Sequence, residues 1–330
     1  MKAAYIDQPG PAASIQVGEL PLPTLQDGAV LVRVSAVTVN HVDTYIRSGA
    51  YPIEMPSPFI IGRDMAGTVE AVGAKARRFH VGEAVWSNCL GIDGQQGTFA
   101  EYLAIPEERL YHLPVGVEPQ EAVAVVHSAL TAVIGLFSKT RLAAGDTLFI
   151  NGGSGSVGLA VLQIAKASGA RVGVTAGNEE KARMCRENGA DLVVIYPRED
   201  VEQAIRGFAP AGLDIFWEAT SALDLERTIP LMAQHGRLVV VAGQEKPSPF
   251  PVRPFYLRNC SLHGFTVTGT SVSDLQAYAR QINAWMARKT LKARIQEILP
   301  LAAAARAHQM QEAGGLSGKI ILMPDLARDG

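Results

Sequence analysis

Residues 147–158, TLFINGGSGSVG, constrain this chain more than any other stretch. An apolar run containing Leu148, Phe149 and Ile150 leads into five small residues, and these lead into VGLAVLQIAKA, whose composition suits a buried helix. The order is strand, glycine turn, helix. Gly153, Gly155 and Gly158 fit G-x-G-x-x-G, in which glycines permit a tight turn, close approach of backbone to a pyrophosphate and close packing of helix on strand. The helix start adds unpaired N–H groups and a positive dipole. Glycine-rich turns also join strands to helices for steric reasons alone, so context decides.

Between about residues 120 and 262, apolar runs (TLFIN, RVGVTA, LVVIY, DIFWEA, RLVVVAG, SLHGFTV) alternate with helix-length segments, as βαβ units of a parallel sheet require. Six such strands are the number of a doubly wound dinucleotide fold. From residue 2 to about 111 the rhythm differs. Short β segments (KAAYI, SIQVGEL, AVLVRVSAV, AGTVEAVG, EAVW, TFAEYLAI) are punctuated by Gly and Pro, which predicts a compact, strongly bent β-barrel. Residues 38–58 interrupt it with crowded polar and aromatic side chains, where a β scaffold would carry function. Beyond Gly269, SDLQAYARQINAWMARK sets Leu275, Tyr278, Ile282, Trp285 and Met286 on one face of an amphipathic helix. The closing GGLSGKIILMPD reads as a turn and a strand that returns to the first domain.

With 330 residues, 48% of them hydrophobic, the chain is long enough for two domains with separate cores. Thirty Lys and Arg against 32 Asp and Glu leave a net charge of −2, which gives no drive toward nucleic acid or an anionic membrane. Cys89, Cys185 and Cys260 are odd in number and widely spaced, which fits neither a disulfide framework nor a zinc knot and points to a reducing compartment, the cytoplasm. The N-terminal MKAAYIDQPG lacks the apolar core and cleavage site of a secretory signal. The most apolar window, residues 122–137, is interrupted by His127, Ser128 and Thr131 and is expected to be a buried helix that falls short of a membrane span.

Several segments then match one family in order along almost the whole chain: VNHVDTYIRSGAYP, PFIIGRDMAGTVEAVG, GTFAEYLAI, the Thr131-Ala132 pair, GGSGSVGLAVLQIAKASGA, TAGNEEK, GRLVVVAG and GKIIL. By them the chain resembles the zinc-independent branch of the medium-chain dehydrogenase/reductases, and within it the NADPH:quinone oxidoreductases similar to zeta-crystallin. The resemblance implies an α/β protein with a GroES-like β-barrel catalytic domain of residues 1–120 and 263–330. A Rossmann domain with a six-stranded, doubly wound parallel sheet, residues 121–262, is inserted between them. It also implies a homodimer paired through the last Rossmann strand, around residues 262–268, whose apolar edge would otherwise be an aggregation liability.

The second Rossmann strand ends Val174-Thr175-Ala176-Gly177 without the acid that binds ribose hydroxyls in NAD sites. Asn178 is a plausible helix cap, and Lys181 follows with an ammonium able to meet a phosphate, so NADPH is favoured over NADH. Glu179 and Glu180 add opposing charge, although acids in a first helical turn also serve the helix dipole. Cofactor contacts are expected from Gly152, Gly153, Ser154, Gly155, Ser156, Val157 and Gly158, from Thr175, Gly177, Asn178 and Lys181, and from Tyr196 after the third strand. By resemblance they extend to Thr131 at the nicotinamide amide, Asn40 and Tyr45 at the nicotinamide ribose, Ala242, Gly243 and Gln244, Phe265 and Val267, and Lys319.

Zinc-dependent relatives use a Cys early in the chain, a His-Glu pair after a glycine and a further Cys; here Asn40 stands for the first and Arg63-Asp64 for the pair. A catalytic zinc needs three ligands of His, Cys or carboxylate type, so no metal is expected. Without a Lewis acid, hydride transfer remains accessible to acceptors already activated by conjugation, quinones or α,β-unsaturated carbonyls. Asn40, Tyr45 and Tyr51 are the expected pocket residues, Tyr51 matching the tyrosine with which enoyl-thioester reductases of the superfamily orient or protonate substrate. The plainer alternative is that both tyrosines pack at a loop with satisfied hydroxyls. Asp43 and Arg47, four apart, are expected to form an intrahelical ion pair, and Arg63-Asp64 a structural pair. His127 is expected to be a hydrogen-bonded core histidine, with His41 turned away from Asn40. The competing functions are an enoyl-thioester reductase acting on acyl-CoA or acyl-carrier-protein substrates, and a zeta-crystallin-like RNA-binding or structural role, which the charge balance disfavours.

Overall fold

The computed structural model describes residues 1–242 and 247–325, so the contacts expected at Gly243 and Gln244 lie outside the described residues. The chain divides into two compact units, Met1–His127 with Ser271–Gly330, and Ser128–Thr270. The boundaries expected after residues 120 and 262 thus move to His127 and Thr270. Helix α2 (Pro119–Val133) runs through the first boundary, and a 3-10 turn, Val267–Gly269, follows the last Rossmann strand before the second.

In the first unit, β1 (Lys2–Ile6) lies between β2 (Gln16–Glu19) and β4 (Phe59–Ile60) in a small sheet. The spine of the larger sheet is β3 (Ala29–Thr38), whose alternating Val30, Val32 and Val34 enter the core. It pairs with β5 (Met65–Val72) on one edge and with β7 (Tyr102–Pro106) and β16 (Lys319–Met323) on the other. Outer strands are β6 (Ala84–Ser87), β8 (Tyr111–His112) and β15 (Ile295–Pro300). Two register shifts between β3 and β5 bend the sheet. The tail returns as expected: β16 sets Ile321 against Thr38 and Leu322 against Val37, and its buried run carries Lys319 inside.

Helix α1 (His41–Ser48) breaks the β pattern, begun by Asn40 and ended by Gly49 at φ 84°. The expected Asp43–Arg47 ion pair does not form. Asp43 turns back to accept the Asn40 backbone N–H at 2.7 Å, while Arg47, buried, bonds to the Gly10 carbonyl and pairs with Glu312 on α9 (Ala304–Ala313). Both side chains are buried, and capping the helix start and bridging to a second helix give each of them a partner there. Helix α8 (Val272–Ala287) buries Leu275, Ala279, Ile282 and Met286; Tyr278 and Trp285, expected on that face, are half-buried at its margin.

The second unit holds β9 (Thr147–Asn151), α3 (Ser156–Ala167), β10 (Arg171–Ala176), α4 (Glu179–Glu187), β11 (Leu192–Ile195), α5 (Val201–Phe208), β12 (Leu213–Glu218), α6 (Leu225–Thr228), β13 (Met232–Val240), α7 (Val252–Leu257) and β14 (Ser261–Gly264). Its sheet runs β11-β10-β9-β12-β13-β14, every pair parallel, which is the expected doubly wound order. Helix α2 continues as a π-helical turn, Ile134–Lys139. There a Cβ on Gly135 would stand 2.2 Å from the Trp217 ring, so only glycine lets the indole pack. Pro119–Lys139 is long and apolar enough to cross a membrane, contrary to expectation, but 78% of its most apolar window is buried in the protein.

His308 on α9 is fully buried, edge-on to Phe99 at 5.9 Å, with neither ring nitrogen hydrogen-bonded among the described residues. Burial, and then the Arg47 charge, push its pKa down from 6.5 to about 3. A depressed folded pKa means stability that is present above pH 6.5 and lost as pH falls toward 3, at about 1.4 kcal/mol per unit. His308→Leu is therefore expected to flatten the fall in unfolding free energy between pH 7 and 5 by about 2 kcal/mol, read from urea unfolding at each pH. An unchanged slope would mean that His308 is not the group responsible.

Candidate active site

The glycine turn lies where the strand order reverses, between the carboxyl ends of β9 and β12, the place at which open α/β sheets receive ligands. Gly152 is left-handed, φ 88°; a Cβ on Gly153 would stand 2.4 Å from Val174 Cβ, and one on Gly158 2.2 Å from the Gly152 carbonyl oxygen. The tight turn is thus made by Gly152, one residue before the G-x-G-x-x-G frame, while Gly153 and Gly158 give the close packing. Gly155 opens α3 in extended conformation, and the first turn carries no acid. Its Ser156, Val157 and Gly158 N–H groups are left to an outside acceptor, with Ser154 partly exposed beside them. This small-residue cradle fits the pyrophosphate of a dinucleotide.

Beneath the turn lies a polar network that the sequence did not reveal. Thr175, 2% exposed, accepts the Gly152 N–H at 2.8 Å and donates to Asn151 Oδ1 at 2.9 Å. Asn151 Nδ2 reaches Glu218 at 2.9 Å, and Glu218 also accepts the Thr220 N–H and hydroxyl at 2.7 and 2.6 Å. Burial raises the Glu218 carboxyl against those hydrogen bonds. The Thr175 hydroxyl therefore holds the turn from below. The available signal was a pair of polar residues, Asn151 and Glu218, closing otherwise apolar strands at one register.

At the end of β10, Asn178 caps α4 as expected, accepting the Lys181 N–H at 2.9 Å. Tyr196 is exposed, and its hydroxyl would lie 3.2 Å from a Cβ on Gly177. The opposing acid Glu179 is taken up by Arg186 at 2.8 Å and Arg198 at 3.5 Å, which hold its carboxyl below the usual range. Arg198 was not foreseen. Ala242 is half-buried beyond β13, Thr131 and Val267 are buried, and the Phe265 ring packs beside Gly135 at the π-helical turn.

In the first unit Asn40 donates to Asp64 Oδ2 at 2.6 Å and accepts from Lys319 Nζ at 2.5 Å, all three side chains being buried. Lys319, expected at the cofactor, spends its ammonium inside this cluster. Burial lowers its pKa against the pull of Asp64 and Asp43. Burial also pulls Asp64 up, but His127, Lys319 and the Asn40 hydrogen bond outweigh it and hold Asp64 below its usual value. Asp43 is pushed up to about 6 by burial and then by the Asp64 charge.

The expected Arg63–Asp64 pair is absent among the described residues. Arg63 is buried with Nε and Nη1 unpartnered, and Asp64 faces His127 Nδ1 at 3.4 Å. The Asp64 carboxylate is instead taken up by the Asn40 amide at 2.6 Å. His41 is exposed and its ring lies 3.0 Å from Gln311 Nε2. Tyr45 and Tyr51 are 50% and 39% exposed, joined by a Tyr51 N–H bond to the Tyr45 carbonyl; neither hydroxyl has a partner among the described residues. No group of three or more His, Cys, Asp or Glu among the described residues could hold a metal ion.

Residues 26–115 match the family described as alcohol dehydrogenase GroES-like domain, and residues 156–284 that described as zinc-binding dehydrogenase. The quinone oxidoreductase of Lama guanicoe is 31% identical, covering 95% of this chain and 94% of its own length. A structure described as an NAD-dependent alcohol dehydrogenase superposes with a TM-score of 0.89 at 30% identity, covering 98% of this chain and 99% of its own. A mycobacterial protein complexed with NADPH does so at 0.86 and 28%, covering 98% and 100%. With its GroES-like and Rossmann domains, the chain belongs to the medium-chain dehydrogenase/reductases, in their quinone oxidoreductase family, and is an oxidoreductase.

Proposed function

We propose that this chain is an NADPH-dependent reductase that transfers a hydride to a quinone or an α,β-unsaturated carbonyl without a metal. The observation that carries the cofactor choice is the end of β10, where Asn178 is committed to capping, Lys181 has no ion-pair partner among the described residues, and Glu179 is neutralised by Arg186 and Arg198. Lys181 and Arg198 would meet the 2′-phosphate, with the Tyr196 hydroxyl at its edge. Gly152 to Gly158 would hold the pyrophosphate. When bound, NADPH supplies the hydride. The exposed phenols of Tyr45 and Tyr51 remain as substrate contacts, Tyr51 as an orienting hydrogen-bond donor.

The case against a metal is the chemistry of the donors. Asn40 and Arg63 stand at ligand positions of zinc-dependent relatives, and an amide held between Asp64 and Lys319, and a guanidinium, are not zinc ligands. Acceptors must then be electrophilic in themselves.

Purified protein with NADPH is expected to reduce a para-quinone and a small enone faster than it oxidises simple alcohols, with no effect of a chelator. Faster turnover of an enoyl-CoA than of either acceptor would assign it to the enoyl-thioester reductases instead. Lys181→Ala combined with Arg198→Ala is expected to weaken NADPH binding by about 10-fold or more, the equivalent of about 1.4 kcal/mol, and to leave NADH binding unchanged in fluorescence titration. Equal weakening of both would remove the phosphate role.

Strand β14 pairs with β13 alone among the described strands, and Leu262 on it and Tyr256 and Leu257 before it are exposed. A homodimer through this edge is the proposed state. Light scattering is expected to give a dimer mass that Leu262→Lys converts to a monomer; a wild-type monomer would refute it.

A further inference from the structure

We propose that Arg63 and Asn88 form a binding site for a carboxylate in the first unit, and that the substrate is accordingly a conjugated carbonyl compound carrying one. This rests on the reductase reading above and names its substrate class.

Arg63 is 3% exposed, forms no ion pair among the described residues, and has Nε and Nη1 without a hydrogen-bond partner there. Asp64, the acid beside it in sequence, is bonded to Asn40, and Asn40 in turn to Lys319. A guanidinium shut in a core without a counter-charge is costly, and such an orphaned group asks for the partner that completes it. Other unpartnered polar atoms gather round it. Asn88 is 3% exposed with both amide atoms unpartnered, and Leu90, two residues on, donates its N–H to the Arg63 carbonyl at 3.0 Å. Thr98 is wholly buried with an unpartnered hydroxyl, which would stand 2.6 Å from a Cβ on Gly62, the residue before Arg63. All of these residues belong to the first unit.

The charges select the ligand. Cys89, between Asn88 and Leu90, is buried beside Arg63; burial pushes its thiol up to about 11 against the pull of the guanidinium. The thiol is therefore neutral at pH 7 and gives Arg63 no counter-charge. Arg63 and Arg109 are the cations whose charges reach Cys89, and Asp64 is the anion. Arg109, half-buried, likewise forms no ion pair among the described residues. One positive charge is in excess. A single carboxylate balances it, whereas a phosphate dianion would overshoot, and a planar carboxylate matches a planar guanidinium. Asn88 Nδ2 adds a neutral donor for the same pair of oxygens.

A carboxylate held by Arg63 takes no part in the electron transfer. It fixes one end of the substrate, so that binding energy from a non-reacting group goes into orienting the conjugated carbonyl. Hydride then adds at the β-carbon, a proton from water adds to the resulting enolate, and the dinucleotide is oxidised by two electrons as the acceptor gains two electrons and two hydrogens. A neutral enone or quinone lacks the anchoring group and is the poorer substrate.

The test compares trans-4-oxo-2-pentenoate with its methyl ester as NADPH-dependent acceptors in the wild type, Arg63→Lys and Arg63→Gln, and measures binding of the saturated acid 4-oxopentanoate by calorimetry. The wild-type kcat/KM is expected to favour the acid by about 100-fold, with the ratio falling to about 1 in Arg63→Gln, chiefly through KM, and Arg63→Lys lying between. Binding of 4-oxopentanoate is expected in the wild type and is expected to be lost in Arg63→Gln, which a merely structural role would not require. A wild-type enzyme with no preference for the acid overturns the assignment, even if Arg63→Gln does not fold, and so does an equal loss on both acceptors. Acetate binding as tightly as 4-oxopentanoate would make this a site for free anions and overturn the substrate assignment. A protein that reduces neither acceptor but binds 4-oxopentanoate through Arg63 overturns the reductase reading and upholds the carboxylate site; one that does neither overturns both.

Discussion

A hydrogen-bonded chain of three buried side chains, Lys319 to Asn40 to Asp64, ties together segments that are 279 and 24 residues apart in sequence. Removing one partner of such a cluster leaves a charge without compensation in a low-dielectric interior, at about 3–5 kcal/mol. Lys319 therefore cannot enter the core unless Asn40 and the carboxylates are in place. Strand β16 carries it there by pairing with β3, so the tail completes the first unit. Helix α1 depends on the same joint, because Asn40 begins the helix and its backbone N–H is held by Asp43.

The second unit has a counterpart in the acceptor network under the glycine turn. Glu218 gathers Asn151 and Thr220, Asn151 orients Thr175, and Thr175 fixes the N–H of Gly152. A turn built of small residues has little packing to define it, and the network supplies that definition by hydrogen bonds from neighbouring strand ends. The glycines give room for phosphate; the buried carboxylate keeps the room open.

What sequence could show follows from the range of the forces involved. The sheet order, the cradle, the Asn178 cap and the return of the tail were legible because strand periodicity, glycine geometry and capping are local or repetitive. The partner of Arg47 was not, since four-residue spacing pointed to Asp43 while the competing acid, Glu312, lies 265 residues on. Arg63 and Asp64 looked like a pair because they are adjacent, yet Asp64 is engaged by Asn40, 24 residues earlier. His127 was expected in the core, and it is half-buried there, facing Asp64 on a distant segment that sequence did not indicate. The polar partners of Lys319 and Thr175, Asn40 and Asn151, lie on distant segments or neighbouring strands and were not legible.

The carboxylates of the first unit also show how one cluster drives two like groups apart. Asp64 takes most of the available positive charge and stays below its usual pKa, and its own charge then helps to lift Asp43 to about 6. The signs for stability are opposite. Asp43, raised above its unfolded 3.8, contributes stability that is full below that value and is lost as pH rises through about 6; Asp64, depressed, contributes stability that is lost as pH falls. Near neutral pH the cluster accepts the penalty at Asp43 and keeps Asp64 ionised, hydrogen-bonded to Asn40 within the joint that closes the first unit.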